Sequence, residues 1–480
     1  MYTECFILFD ECEKLVQDVH YRDSIREPMN DFFRFQNKAL ISATPIVPEK
    51  DSRFDGFMRV LIQPDYVYRQ KLKLITTNNV LETLQEVIEA KRGTVCIFCN
   101  SIDSIDSFYR LIPELSNACT FCSEDGQYKL WKGNRRKKSM MITELERYNF
   151  FTSRFYSAVD ILCKNPPHVI FVSDLYGAAQ SVIDPATEAI QIIGRFRGGV
   201  NSVTHIASIR PELECMSSSE IDHWIQGAST IFNGWNAQLA RTTNIGERTL
   251  LQEAIGENSY LPYLDENGKP DSFLIANFYE KEQVKRLYTS ADLLHLAYEQ
   301  TGYFVFSHEE RLMPVSDNER MAIQHRLAKK KRAELIVRKL EEMEKMSKAT
   351  DKKIQKRYQR MLMNLITSTA DRYIYDCFCR FGAEFVREAD YNENKLRTAL
   401  NVSSEHTIKK SGQMRTYIQR AFPVGAEISV QEAKSMLRQV YKKMGLNTGR
   451  GITTKELEQY AEIENSRNRE ARMIKILKHK

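Results

Sequence analysis

The chain has 480 residues, of which 42% are hydrophobic and 28% are charged, and its formal net charge is +6. That length has room for about three domains, and the composition is typical of a globular protein rather than a disordered or fibrous one. No apolar run approaches the roughly 18 residues of a membrane-spanning helix, and the N-terminus lacks the pattern of a secretory signal. We therefore expect a cytoplasmic protein with no membrane partner and with ten cysteines kept as free thiols.

The first 76 residues contain three short apolar runs, at 6–9, 39–41 and 58–62, with a polar helical stretch between the first two. The first run ends in Asp10-Glu11, and an acidic pair at the end of a buried strand can handle Mg²⁺: Asp10 would hold the metal and Glu11 would polarise a water. The second run continues into Ser42-Ala43-Thr44-Pro45, whose hydroxyls can hydrogen-bond that acidic pair. The alternative for the second run is a strand cap followed by a proline turn.

Residues 77–210 alternate strand-like runs with helical patterns, and the runs predict strands at 94–99, 149–153 and 168–173. Short buried strands separated by helices favour a mainly parallel α/β sheet. The four cysteines at 96, 99, 119 and 122 have the spacing of a zinc ribbon, but residues three apart in a strand point to opposite faces, which argues against chelation.

The run "IQIIGRFRGG" spaces Gln191, Arg195 and Arg197 so that they can face a cleft from one helix turn. Arginines placed there can stabilise charge on a phosphoryl group in transfer. A helix end with a glycine cap is the alternative.

From residue 211 the pattern becomes helical. Residues 318–368 lack proline and glycine and predict a long amphipathic helix or a pair of them. Within them, 326–360 hold fourteen Lys or Arg against five Asp or Glu, a basic arm that favours nucleic acid or is only a solvated helix. We take four of its cations as nucleic-acid contacts: Lys329, Lys330, Lys331 and Arg332.

Two capping-box patterns, Ser429 with Glu432 and Thr453 with Glu456, predict helices at 430–444 and 454–463 with a turn at 445–451. A basic segment follows at 467–480. The arrangement is typical of a helix-turn-helix or winged-helix DNA-binding module, and a helical accessory domain with a basic tail is the alternative.

Taken together, "FDECEK", "SATP" and "QIIGRFR" resemble motifs II, III and VI of superfamily 2 helicases of the DEAD/DEAH-box type. "VCIFCNS" (95–101) and "NFFTSRFYSAVDI" (149–161) resemble motifs IV and V. These motif sequences are most similar to those of phage and mobile-element helicases, and are more distantly similar to those of herpesvirus origin-binding helicases. The resemblance covers residues 1–210 and implies two RecA-like lobes with ATP and Mg²⁺ between them and single-stranded nucleic acid across the top.

On this resemblance we expect four regions. Residues 1–76 would be a partial first RecA-like lobe, and 77–210 would be a complete second lobe. Residues 211–390 would be a helical accessory domain with the basic arm, and 391–480 would be the DNA-binding module. The implied partners are replication proteins and nucleic acid, with DNA favoured over RNA. The implied location is a bacterial or phage-infected cytoplasm.

The resemblance also implies roles for individual residues. Metal binding and water activation fall to Asp10 and Glu11, and contact with the γ-phosphate falls to Gln191, Arg195 and Arg197. Nucleotide binding involves Asp160 and Gly194, and coupling of hydrolysis to motion involves Glu13, Ser42 and Thr44. Contacts to the nucleic-acid backbone come from Ser101, Thr152 and Ser153.

Four features depart from the family pattern. Glu13 stands where His or Asp is usual, Ala158 replaces a glycine of motif V, and one residue rather than two separates Arg195 from Arg197. The fourth is that the sequence has no G-x-x-x-x-G-K-[ST] loop, whose backbone would cradle phosphates.

In the family that loop precedes motif II, so we expect the C-terminal portion of a helicase or translocase, inactive in this form. The alternatives are a non-enzymatic nucleic-acid-binding or loader subunit, and the translocase part of a restriction or remodelling complex.

Overall fold

A computed structural model of the protein describes residues 2–480 except 21, 132–136, 143, 158, 322, 324–326, 348–357, 360, 364–365, 367–370, 447–450 and 468–470. The chain divides into two compact units, residues 1–321 (unit 1) and residues 322–480 (unit 2).

Unit 1 begins with a small α/β segment. Its elements are β1 (Phe6–Asp10), α1 (Lys14–Gln17), a 3₁₀-helix (Asp23–Arg26), α2 (Pro28–Phe32), β2 (Asn37–Ile41) and a 3₁₀-helix (Ser52–Phe54). The strands β1 and β2 pair in parallel. Leu15, Val16 and Phe32 form its core together with Phe273 and Leu274 from much later in the chain. The segment is therefore anchored to the helix that contains Phe273.

The main sheet of unit 1 has eight strands in the order β10-β3-β9-β8-β4-β7-β5-β6. The strands are β3 (Gln70–Thr77), β4 (Val95–Phe98), β5 (Cys119–Phe121), β6 (Lys137–Ser139), β7 (Tyr148–Phe151), β8 (His168–Ser173), β9 (Ser202–Ser208) and β10 (Phe304–Arg311). Every neighbouring pair is parallel. The predicted parallel α/β arrangement is confirmed, and β4, β7 and β8 lie at the three predicted strand positions.

Helices cover both faces of this sheet, as its strands, buried on both sides, require. The helices of unit 1 beyond the first segment are α3 (Val80–Glu89), α4 (Ile102–Leu111), α5 (Glu124–Trp131), α6 (Glu188–Gly194), α7 (Ser218–Arg241), α8 (Ile245–Gly256), α9 (Ser272–Leu287), α10 (Ala291–Gln300) and α11 (Asp317–Met321), with 3₁₀-helices at Pro113–Leu115, Ser153–Phe155 and Leu261–Tyr263. Apolar side chains of α3 and α4 pack on one face, and those of α6, α9 and α10 pack on the other.

The cysteines of the zinc-like pattern lie inside this sheet. Cys96 and Cys119 belong to the core on one face, whereas Cys99 and Cys122 belong to the core on the other. All four are buried. The two cysteines of each C-x-x-C pair therefore lie on opposite faces of the sheet, as the strand geometry predicted.

Two features of unit 1 differ from the expected division. The predicted lobe boundary at residue 210 cuts the sheet, because β10 (304–311) is its edge strand and pairs with β3. Residues 211–321 also belong to unit 1, so the predicted accessory domain at 211–390 is split at residue 321. More than two hundred residues separate β10 from β3 in the sequence, and the hydrophobic pattern of β10 did not indicate that the two strands pair.

Unit 2 contains α12 (Lys329–Ser347), α13 (Arg372–Glu388), α14 (Glu393–Lys409), α15 (Gly412–Ala421) and α16 (Val430–Lys443), with a 3₁₀-helix at Thr454–Gln459. Three strands, β11 (Glu427–Ser429), β12 (Ala461–Arg467) and β13 (Arg472–His479), form an antiparallel sheet in the order β11-β13-β12. Met414, Ile418, Leu437, Ile474 and Ile476 belong to the core between these helices and the sheet.

The first of the two predicted C-terminal helices is present, and the Ser429 hydroxyl accepts a hydrogen bond from the Glu432 backbone N–H at 3.2 Å. The second differs: a six-residue 3₁₀-helix ends at Gln459 and a strand begins at Ala461. Most of the predicted basic tail forms β13. Residues 447–450 of the predicted turn and 348–357 of the basic arm lie outside the described residues.

Candidate functional site

The acidic motif after β1 sits on a sharp change of backbone direction. Asp10 is the last residue of β1 and is exposed, and one of its carboxylate oxygens, Oδ1, accepts a hydrogen bond from the Glu11 backbone N–H at 2.8 Å. Glu11 has a positive φ of 53°, which is uncommon for a residue with a side chain. Two residues later, Glu13 is completely buried. The turn therefore separates one solvent-facing carboxylate from one that faces the protein interior.

The buried carboxylate meets residues from two other motifs. The Gln191 side-chain amide donates from Nε2 to Glu13 Oε1 at 2.7 Å and to the Thr44 hydroxyl at 2.9 Å. Thr44 is itself positioned by its backbone N–H, which donates to the Ser42 hydroxyl at 2.9 Å. Glu13, Thr44 and Gln191 thus form one buried hydrogen-bonded group, here named the amide bridge. The second carboxylate oxygen of Glu13, Oε2, has no hydrogen-bond partner among the described residues.

The arginines of the third motif follow the end of α6. The Arg195 guanidinium donates from Nε to the Gln191 carbonyl at 3.1 Å and remains partly exposed. Arg197 is exposed and pairs with Asp160, with 2.9 Å between Nε and Oδ1. Gly194, the last residue of α6, has open space where a side chain would project. Arg195 therefore lies beside the amide bridge, whereas Arg197 is held by Asp160.

Three hydroxyl residues were expected to contact nucleic acid. Ser101 and Thr152 follow the carboxyl ends of β4 and β7, but both are buried and are used internally. The Ser101 hydroxyl caps α4 by accepting from the Ser104 N–H at 3.1 Å, and the Thr152 hydroxyl donates to the Phe121 carbonyl at 3.4 Å. Ser153 is exposed and can contact a ligand directly.

A group of acids, with Asp184 buried and Glu188 and Glu280 partly buried, was missed by sequence reasoning. The Gln17 side-chain amide donates to Thr187 at 3.0 Å and to Glu280 at 3.1 Å. Glu188 accepts from the Asp184 backbone N–H at 3.0 Å. The spacing of Asp184 and Glu188 just before the "IQIIGRFRGG" run was a visible signal, whereas nothing local marked Glu280.

Burial dominates the titration of these acids. It raises the pKa of the Glu188 carboxyl to about 8 and that of Glu280 to about 7, because both lose the solvation of their charged forms. Burial also raises the pKa of Asp184, against hydrogen bonds from Thr187 and Ala186. The nearby positive charge of Lys14 offsets only part of this effect.

Three of the four basic-arm cations predicted to contact nucleic acid pair with acids of unit 2. Lys329 pairs with Glu393, and Lys330 pairs with Asp390 at 2.6 Å. Arg332 pairs at 2.6 Å with Asp371, whose side chain is 3% exposed. Lys331 is exposed, and it is the one among the four predicted nucleic-acid contacts that forms no ion pair with another described residue.

The acidic turn fits a magnesium ion in one respect. Mg²⁺ is commonly held by one or two carboxylates together with water and substrate phosphates, and Asp10 and Glu11 can supply such a carboxylate set. Among the residues that the structure describes, no three or more His, Cys, Asp or Glu side chains are grouped to hold a metal. The donor set therefore suits an ion that arrives with its ligand, not one held by a protein cage.

No protein-family model matches the chain, and no curated protein matches it. Within the described residues, no helix is both long and apolar enough to cross a bilayer.

Proposed function

We propose that the protein is the motor portion of a superfamily 2 helicase or translocase that acts on DNA in phage or mobile-element replication. The observation that carries this proposal is the amide bridge. Glu13, Thr44 and Gln191 come from three separate motif-like stretches of the chain, yet their side chains meet in one buried group. Such a group can relay a change at the acidic turn to α6, which is the coupling that the motif resemblance implies.

The remaining assignments follow the same resemblance. Asp10 and Glu11 would hold Mg²⁺ and orient a water, and Arg195 would face the phosphoryl group, with Arg197 released from Asp160 when the ligand binds. Bound ATP with Mg²⁺ supplies the reactive phosphoryl group. The parallel sheet and the α/β segment before it would be the second RecA-like lobe and part of the first.

The nucleic-acid contact is proposed for unit 2 in particular. Unit 2 has thirty-five Lys or Arg against nineteen Asp or Glu, whereas unit 1 has thirty-four against forty-four. Polyanions are attracted to the basic unit and repelled by the acidic one. The helices and three-stranded sheet at 412–479 favour the winged-helix alternative over a simple helix-turn-helix, because the second predicted helix is only a short 3₁₀-helix.

One observation favours the second candidate, a nucleic-acid-binding or loader subunit without its own turnover. The 480 residues contain no G-x-x-x-x-G-K-[ST] loop to grip the phosphates. If the protein is a motor, that grip must come from a polypeptide segment outside residues 1–480.

The test is DNA-stimulated ATP hydrolysis. We expect residues 1–480 alone to bind DNA with negligible stimulated turnover, and a polypeptide that supplies a phosphate loop to restore turnover. Glu11→Gln in the restored system should then abolish turnover while DNA binding persists.

Hydrolysis by residues 1–480 alone that is lost in Arg195→Ala would contradict the predicted need for an added loop. If no polypeptide that supplies a phosphate loop restores ATP hydrolysis while DNA binding stays intact, the result would favour the loader subunit.

A further inference from the structure

An open depression lies at the edge of the main sheet where the strands begin. It has a volume of about 580 Å³ and is lined by Arg92, Gly93, Thr94 and Arg147. The Val95 N–H donates to the Arg147 carbonyl at 2.7 Å, so the residues just before β4 and β7 are tied together. Both arginines are thus carried on backbone fixed by the sheet.

The depression is rich in uncompensated positive charge. No carboxylate among the described residues forms an ion pair with Arg92, Arg147 or the neighbouring Lys91. This contrasts with Arg197 and Arg311, each of which is paired with an acid. Arg147 instead lies over the Tyr148 ring, with its guanidinium carbon 5.1 Å from the ring centre.

A polar network adjoins the Arg92 backbone next to the depression. His168 hydrogen-bonds the Arg92 carbonyl through Nε2 at 3.0 Å, which places the proton on that nitrogen. Its Nδ1 then accepts from the Ser202 hydroxyl at 2.8 Å, and Ser202 accepts from Lys91 Nζ at 3.0 Å. The network positions the Lys91 ammonium and the Arg92 backbone beside the depression.

The pKa values of Lys91 and His168 are both lowered, by burial and by neighbouring positive charge. Burial lowers the pKa of Lys91, and repulsion from Lys73 lowers it further. Burial also lowers the pKa of His168, with the Lys91 charge as the next cause, while the hydrogen bond to the Arg92 carbonyl acts in the opposite direction. A bound anion would relieve both repulsions.

We propose that Arg92 and Arg147 form a binding site for a phosphate-bearing anion at the amino ends of the sheet strands. A guanidinium group can bind phosphate oxygens in a bidentate manner, and both arginines line the same depression. None of the candidate motor-site residues lines the depression, and Ser101 and Thr152 follow the carboxyl ends of β4 and β7, at the opposite edge of the sheet. With about 3.3 Å per residue, strands of four to seven residues place the two edges roughly 13–23 Å apart.

The test is calorimetric titration of the full chain with pyrophosphate and, separately, with a thymidine decamer. The variant is the double substitution Arg92→Gln and Arg147→Gln. Its control is Arg59→Gln with Arg69→Gln, which removes the same charge from two exposed arginines that do not line the depression. We expect the variant to weaken binding at least about tenfold and the control to leave it within about twofold.

The two ligands distinguish the source of the phosphate. Saturation by pyrophosphate indicates a free phosphorylated compound, and saturation by the decamer alone indicates nucleic acid. Either result supports the site if the double variant loses it. No saturation by either ligand up to about 10 mM, equal weakening in variant and control, or binding that the double variant leaves unchanged, as for a decamer held by unit 2 alone, would overturn the proposal.

A second readout does not depend on affinity alone. In wild-type protein, saturating anion should raise the pKa of the His168 imidazole, followed by its NMR ring signals, because the added negative charge offsets Lys91. In the double variant that shift should disappear. A His168 pKa that stays the same when the anion is bound would contradict binding in the depression.

Discussion

At the scale of single residues, the amide of Gln191 joins two groups that water cannot reach. Glu13 is completely buried and Thr44 is 6% exposed, so each depends on a protein partner for its hydrogen bond. Gln191 supplies both bonds from one nitrogen, at 2.7 and 2.9 Å. Removing a partner from a buried polar group leaves the full cost of its desolvation, which for a carboxylate exceeds that for a hydroxyl.

The substitution Gln191→Ala should therefore lower the free energy of unfolding by about 1–3 kcal/mol, measured by urea denaturation. Gln226→Ala, on the exposed side of α7, is the control and should change it by less than about 0.5 kcal/mol. Combining Gln191→Ala with Glu13→Ala should cost less than the sum of the two single changes, since they remove the same bond. Full additivity would contradict the amide bridge.

Glu188 makes stability depend on pH in a definite direction. Its folded pKa, about 8, lies above the unfolded value, so the folded state binds more protons between the two values. Stability is therefore highest below the unfolded pKa and falls as pH rises toward 8. The groups around it that carry charge are Asp184, Glu280 and Lys14.

We expect the Glu188→Gln variant to lose less stability than wild type between pH 5 and pH 8, by an amount on the order of 2 kcal/mol. Chemical denaturation at the two pH values measures it. Glu212→Gln, an exposed acid of the same unit, is the control and should follow the wild-type curve. Parallel curves for Glu188→Gln and wild type would show that Glu188 is already ionised at neutral pH.

At the scale of elements, α12 begins with four consecutive cations at its positive dipole end. Lys329 to Arg332 are unfavourable there unless acids offset them. The protein places Glu393, Asp390 and Asp371 against three of the four. Three of the four cations predicted to contact nucleic acid are thus used to dock α12 on α13 and the start of α14.

Arg332 and Lys331 should consequently behave differently. Arg332→Gln leaves buried Asp371 without its ion pair and should cost about 3 kcal/mol of unfolding free energy. Lys331→Gln should change stability by less than about 0.5 kcal/mol but lower the log–log salt slope of DNA binding by about one, if Lys331 contacts a phosphate. Urea denaturation and binding at several salt concentrations test both; an unchanged slope would limit Lys331 to solubility.

The strand β1 has one buried and one open side. Ile7 and Phe9 pack on the core of the first segment, whereas Phe6 and Leu8 are 64% and 54% exposed. A two-stranded parallel sheet with an open apolar side is an aggregation hazard.

Replacing Phe6 and Leu8 together by serine should reduce aggregation, followed by light scattering on heating, without a loss of unfolding free energy. Ile7→Ser is the matched control and should destabilise the protein by about 2 kcal/mol because it removes core packing. If the double serine variant aggregates as fast as wild type, the open side of β1 is not the source.

At the scale of the whole molecule, charge is divided between the two units. The excess of ten acids in unit 1 and of sixteen bases in unit 2 is hidden in the modest net charge of +6. Long-range attraction to a polyanion therefore concentrates on unit 2.

Ultraviolet cross-linking of the full chain to a thymidine oligonucleotide should consequently label mainly peptides from 322–480, identified by mass spectrometry. The labelling should fall steeply with added salt, because released counterions drive such binding. The acidic peptides at 211–321 serve as the internal control. Predominant labelling of those peptides would contradict the charge argument.

The sequence by itself determined the features that depend on local pattern. Buried runs with β-branched and aromatic residues predicted β4, β7 and β8, because strands covered on both faces are apolar throughout. The Ser429 cap and the motif-like stretches around Glu13, Thr44 and Gln191 were also visible, since caps and turns are specified within a few residues.

Only the tertiary structure decided the features that join distant parts of the chain. The edge strand β10 pairs with β3 across more than two hundred residues, and the acids that neutralise α12 come from α13, α14 and the residues around them. Glu280, whose side chain accepts a hydrogen bond from Gln17 in the partly buried acid group, comes from α9. No local pattern specifies such partners, because pairing depends on where packing places each segment and on the desolvation of the charges that meet there.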